Sequence, residues 1–273
     1  MGQEKILTED FIEAKKVMLK EKIESIMSKS DDEVIQFFSD YIAWNGVFGG
    51  AVASLAGKWH NAIYLTDMSE DEERGMNRYA HRVASEIFAA AEDEYNDENN
   101  INPNVRITHK DMAWNFFQGI MQYYGVSKRP KPSNDIKVHI LNTLHGYGVS
   151  NRLQLLRTLI YNLGFHIGSE KIASYEFDFL TAELQKSRPD LFKFLMNRDM
   201  FYGLEDNGIV SLDWLRVHGS VEEEHFQHAI NAASWAEQMV LEHDIMTSDE
   251  FNSLLLNGFN SFSDLQEQVF EKY

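Results

Sequence analysis

Helix-start signals, with almost nothing to stop a helix once begun, constrain this chain more than any other feature. Ser30-x-x-Glu33, Ser69-x-x-Glu72 and Thr247-x-x-Glu250 each stand ahead of an apolar-periodic run. In such a box the hydroxyl and the carboxylate satisfy backbone N–H groups that the first helical turn leaves unpaired. Proline, which breaks a helix interior, occurs only 4 times in 273 residues. Strand signals are nearly absent, so the expectation is an all-α fold.

The pattern predicts an N-terminal helix within residues 1–29, opened by Thr8-Glu9-Asp10. A second helix is expected from Ser30 to about Ala56, and a third from Ser69 to Tyr95. An Asn-rich loop follows over 96–107. Thr108 caps a helix ending at Gly125, and a shorter one runs from Ser133 to about Leu144, where Gly-Tyr-Gly at 146–148 breaks it. A long helix is expected from about Ser150 to Lys186, with Gly164 and Gly168 as bends. A short helix restarts at Pro189. After a loop at 203–208, the last long helix spans Ser211 to about His243, and two short helices fill 247–273. No repeat or composition shift marks a boundary, so residues 1–273 read as a single domain.

A formal charge of −18 sets phosphates against most of the surface, which excludes nucleic acid and an anionic membrane face as partners. Cysteine is absent, which removes disulfides, thiolate metal sites and a Cys nucleophile. The opening Met-Gly-Gln-Glu-Lys has no apolar signal region, and Ile6 stands where a myristoylation motif needs Ser or Thr. The stretch 41–59 is uncharged except for Lys58, but Asn45 and its glycines make it a buried helix rather than a membrane span. The expected setting is cytoplasmic, with a small-molecule substrate as partner; a homodimer is compatible with such a chain.

The chemistry concentrates in the last long helix. His218, Glu222 and His225 sit at i, i+4 and i+7, within about 60° of one another on the helix surface. They interrupt an apolar stripe that runs from Leu215 to Ala229, Ala232 and Ala236. Burying two imidazoles and a carboxylate together is costly unless each has a partner, and one divalent metal would serve all three. The same spacing also fits a hydrogen-bonded polar cluster without metal. Glu223 and Glu224 read as solvated. Glu94 continues the stripe Val83, Ile87, Ala90 at a helix C-terminus, where the dipole disfavours a carboxylate. His109 shares the face of Ala113, Phe116 and Ile120. A further carboxylate is expected from the helix 150–186, either Glu170 or Glu176. Antiparallel packing of that helix on the one starting near Ser211 favours Glu176.

An acidic helix end at Asp93-Glu94-Tyr95, His109 opening a helix that ends in Tyr-Tyr-Gly, and then His-x3-Glu-x2-His resemble the heme-oxygenase-like diiron oxidases and oxygenases. The resemblance runs from about residue 30 to 240. It implies a heme-oxygenase-like helical fold, two non-heme irons, O2 as co-substrate and a small amine, amino acid or fatty-acid-like substrate. It also implies Glu94, His109, Glu176, His218, Glu222 and His225 as the iron ligands; Asp93, Tyr95 and His228, each near one of these in sequence, are candidates to support them. Glu222 stands where the family usually has Asp, and the intervals around His109 and before His218 are longer. Two other readings share the fold: a heme protein with His60 as proximal ligand, and a non-catalytic helical binding protein. A ferritin-like site would need a second Glu-x-x-His beside Glu222-x-x-His225.

Overall fold

The computed structural model describes residues 9–62, 70–95, 108–150, 155–198 and 210–273. Ten α-helices and no β-strand occur among them: α1 Glu9–Met27, α2 Asp31–Asn45, α3 Phe48–Asn61, α4 Glu70–Tyr95, α5 His109–Tyr123, α6 Asn134–Gly146, α7 Leu156–Ser187, α8 Pro189–Met196, α9 Asp213–Glu242 and α10 Ser248–Glu271. The box residues act as their spacing requires. Glu33 accepts from the Ser30 backbone N–H at 3.1 Å. Thr247 and Glu250 exchange reciprocal bonds of 3.1 and 3.2 Å. Thr8, Ser69 and the loops 96–107 and 203–208 lie outside the described residues.

Two expectations about the helices need correction. The second predicted helix is two, α2 and α3. Gly46 closes α2 through its N–H to Ile42 O (3.0 Å), and Val47 turns tighter, its N–H reaching Trp44 O (3.3 Å). This i−3 bond reorients the chain without a proline. The C-terminal segment is one helix of 24 residues rather than two. The helix α7 runs unbroken over 32 residues, through Gly164 and Gly168. They are docking points. A Cβ on Gly164 would fall well inside 3.0 Å of Leu255 O, and one on Gly258 would do the same at Tyr161 O. The two backbones meet there because neither helix carries a side chain. That approach offsets the helix penalty of about 1 kcal/mol for Gly258 and lets α10 continue past it.

The most extensive packing joins α7 to α9 and α10, and α4 to α3 and α9. The helices thus form a sequence in space, α3–α4–α9–α7–α10, with α9 between the two long helices α4 and α7. Trp44, Tyr41, Phe116, Phe177 and Trp214, all at most 2% exposed, fill the centre beneath α2 and α5. No described helix is long and apolar enough to cross a membrane.

Candidate metal centre

Four of these helices aim polar side chains into the interior between them. From α9 come His218, Glu222 and His225, at 1%, 5% and 5% exposure, while Glu223 and Glu224 on the opposite face are exposed. The Thr108 cap starts α5, Thr108 accepting from the Asp111 N–H at 3.1 Å, and this presents His109 inward at the first helical position. The C-terminal turn of α4 brings Glu94, and Gly49 of α3 makes room for it: a Cβ there would lie 3.0 Å from the Glu94 Cβ. Glu170 comes from the middle of α7 and is 7% exposed.

These side chains form two triads. Glu94, His109 and His218 make one, Glu170, Glu222 and His225 the other, and in each the candidate ligand atoms lie within 4.8 Å of one another. In the first, His109 Nδ1 is 3.4 Å from Glu94 Oε1, and the His109 and His218 rings are 4.5 Å apart. In the second, His225 Nδ1 is 3.6 Å from both Glu170 Oε2 and Glu222 Oε2. Asp93 bridges the triads from outside, its Oδ2 3.7 Å from His109 Nε2 and 3.4 Å from His225 Nε2.

The donor chemistry fits divalent cations. His218 Nδ1 lies 2.6 Å from the Trp214 carbonyl oxygen, which can only accept, so Nδ1 carries the proton and Nε2 a lone pair. That Nε2 is buried without a hydrogen-bond partner, as is His109 Nδ1, which Glu94 approaches at 3.4 Å as an ion pair only. An orphaned buried donor or acceptor costs about 1–3 kcal/mol, and a metal ion is a partner that would satisfy both nitrogens. Charge points the same way. Burial disfavours a proton on His109, yet Glu94 and then Asp93 raise it to about 9. His225 is likewise raised, against its burial, by Asp93, Glu170 and Glu222. Burial, together with the neighbouring Glu170, pushes Glu222 up to about 8. Burial and the charge of His109 hold His218 well below the usual imidazole range. The carboxylates demand positive charge, supplied here as protons at atoms where metal would bind.

The site therefore brings together Glu94, His109, His218, Glu222 and His225, with Glu170 in the place expected for Glu176. Glu176 is 4% exposed but belongs to neither triad. Its two oxygens accept from the Tyr41 hydroxyl and the Gln266 amide. The expected register fails because α8 lies between α7 and α9, so the end of one helix does not mark the start of the other. Asp93 borders the site as expected. His228 instead pairs with Glu86 at 2.7 Å, and Tyr95 is 50% exposed. His60 is exposed on α3 and stacks on His81 at 4.4 Å, apart from the pocket. The residue that sequence reasoning overlooked is His166. It is fully buried, its Nδ1 is 3.0 Å from Glu170 Oε1, and its Nε2 has no partner. The signal was present as His-x3-Glu on one face of α7.

Beside the triads is a pocket whose empty space, counting its opening to solvent, is about 510 Å³. Its lining includes Glu94, Glu170, His218, Glu222 and His225 of the triads together with Trp44, Phe48, Val52 and Phe262.

No protein-family model matches this sequence, and no curated protein matches it. Among solved structures, the chain is similar to a CADD-like protein of unknown function from Nostoc punctiforme PCC 73102. That similarity has a TM-score of 0.52 and 13% identity, covering 95% of this chain and 96% of that one. At this identity the likeness is one of fold, and it extends over nearly all of both chains. The architecture is an all-α, heme-oxygenase-like one.

Proposed function

We propose that this protein is a non-heme, iron-dependent oxidase or oxygenase that uses O2 to oxidise a small organic substrate. The observation that carries the reading is the pair of facing triads, each with imidazole and carboxylate donors, and each including a buried imidazole nitrogen or a carboxylate pair that calls for a cation. Glu94, His109 and His218 would hold one ion and Glu170, Glu222 and His225 the other. Such a nitrogen–oxygen donor set suits iron or manganese. When bound, two irons would supply the electrons that O2 activation requires.

The chain's own contribution is positional. The Trp214 carbonyl fixes the tautomer and ring angle of His218, and Phe177 stacks on that ring at 4.0 Å. His166 orients Glu170. Asp93 holds a negative charge behind His109 and His225, strengthening both as donors. Trp44, Phe48, Val52 and Phe262 give the cavity beside the triads an apolar lining.

Anaerobic reconstitution with Fe(II) tests this. The full chain should bind about two irons, as two three-ligand sites imply. His225→Ala should lose iron from one site and His218→Ala from the other, with helical content unchanged by circular dichroism. A folded wild-type protein that retains no iron after desalting ends the proposal.

A further inference from the structure

The pocket distinguishes between kinds of substrate. None of its described lining residues is Lys or Arg. Its imidazoles belong to the two triads, so outside the candidate ligands a carboxylate-bearing molecule would find no cationic side chain there. Neutral polar groups are few: Asn45 at one side and Ser169 at another, the Ser169 hydroxyl already 2.6 Å from the Tyr147 hydroxyl. The remaining charge outside the two triads is Glu176, which lines the same cavity.

Glu176 is held in place from two directions. Tyr41 of α2 donates to one oxygen and Gln266 of α10 to the other, so the carboxylate cannot turn away. Each carboxylate oxygen has two acceptor positions, which leaves one on each free. The rings of Trp44 and Phe48, packed edge to face at 5.2 Å, line the same cavity. Aromatic faces attract an organic cation, and the apolar wall takes its hydrocarbon body. Burial pushes Glu176 up to about 7 even with two donors. A cation alongside would restore the carboxylate, which adds to the pairing.

We propose that the pocket selects an alkyl- or arylamine, binding its ammonium group at Glu176 and its apolar body against Trp44, Phe48, Val52 and Phe262. The assignment rests on reading this pocket as the substrate chamber of the metal centre, and it narrows the substrate to a cation with an apolar body. In this role Glu176 is a binding residue, not a metal ligand.

Three probes with one apolar body and different head groups test it: hexylamine, hexanol and hexanoate. Their binding to the full chain is measured calorimetrically at neutral pH, metal-free and after iron loading, with iron content determined on the same samples. Hexylamine should bind at least about tenfold more tightly than the other two, the value of one charge-assisted hydrogen bond. Glu176→Gln should bring hexylamine to the level of hexanol and leave hexanol binding and iron content unchanged. Hexanoate binding as tightly as hexylamine overturns the proposal. So does no binding of any probe, or a Glu176→Gln protein that keeps the preference for the amine. If the variant fails to fold, the wild-type head-group order decides alone. Loss of iron with the amine preference intact would defeat the metal reading and leave this one standing.

Discussion

Substituting Gly164 by Ala probes the contact that sets α10 against α7. The added methyl would be placed well inside 3.0 Å of the Leu255 carbonyl oxygen and 2.7 Å from the Leu255 Cα. Both are backbone atoms, so no side chain can rotate out of the way. Carbon atoms prefer separations of about 3.5–4.0 Å, so the helices must part by on the order of 1 Å. A gap of that size forfeits a quarter to a half of the dispersion energy at each contact along the junction. Alanine also gains about 1 kcal/mol in helix propensity over glycine. Overpacking costs of about 1–3 kcal/mol, with the lost contacts added, outweigh that gain. The expected net loss is roughly 2–4 kcal/mol, a fall in Tm of about 5–15 °C for a chain of this size. Gly258→Ala, at Tyr161 O, should behave alike. Gly57→Ala is the control: it is exposed in α3 with nothing within 4 Å of its Cβ, so it should keep the propensity gain and melt slightly higher. Thermal unfolding followed by circular dichroism reads all three. If Gly164→Ala melts at or above the wild type, or tracks Gly57→Ala, the close backbone contact is not what joins these helices.

Glu176 predicts a signed pH effect. Its folded pKa is raised from 4.5 to about 7, so the stability tied to its proton is present below the lower value and lost as pH rises through the upper one. The difference amounts to roughly 3 kcal/mol, and metal-free Glu176→Gln should gain that much on the wild type between pH 5 and 8; parallel denaturation curves would contradict it. Asp40 acts in the opposite sense. It is fully buried, and although burial opposes ionisation, Lys272, Tyr273 and Ser133 hold its carboxyl below the usual range. Asp40→Asn should cost about 2–4 kcal/mol at neutral pH, and the difference from wild type should shrink in acid, as the wild-type carboxylate protonates. Gly49→Ala should disturb the metal centre without replacing a ligand, because its Cβ would sit 3.0 Å from Glu94 Cβ and 3.4 Å from Oε2. A metal titration should show affinity reduced by about tenfold or more with Tm unchanged, and unaltered affinity would mean that Glu94 is free to adjust.

Helix content and the inward stripe of α9 were legible in the sequence because both are local. A capping box is decided within four residues, and His218, Glu222 and His225 share a face through helical periodicity alone. The chain could likewise show that Glu94 and His109 lie on core-facing stripes. Its residues alone could not choose between Glu170 and Glu176, since both lie on apolar faces of α7 and the choice depends on how far α7 has slid along α9. That displacement depends on tertiary packing, since α8 and the segment after it separate the end of α7 from the start of α9 along the chain. Tertiary packing likewise brings Gln266 and Tyr41 onto Glu176, residues 90 and 135 positions away along the chain. Local sequence thus determined which side chains face inward, while tertiary packing decided which of them meet, because inter-helix register is fixed by steric fit between remote segments and has no signature within either one.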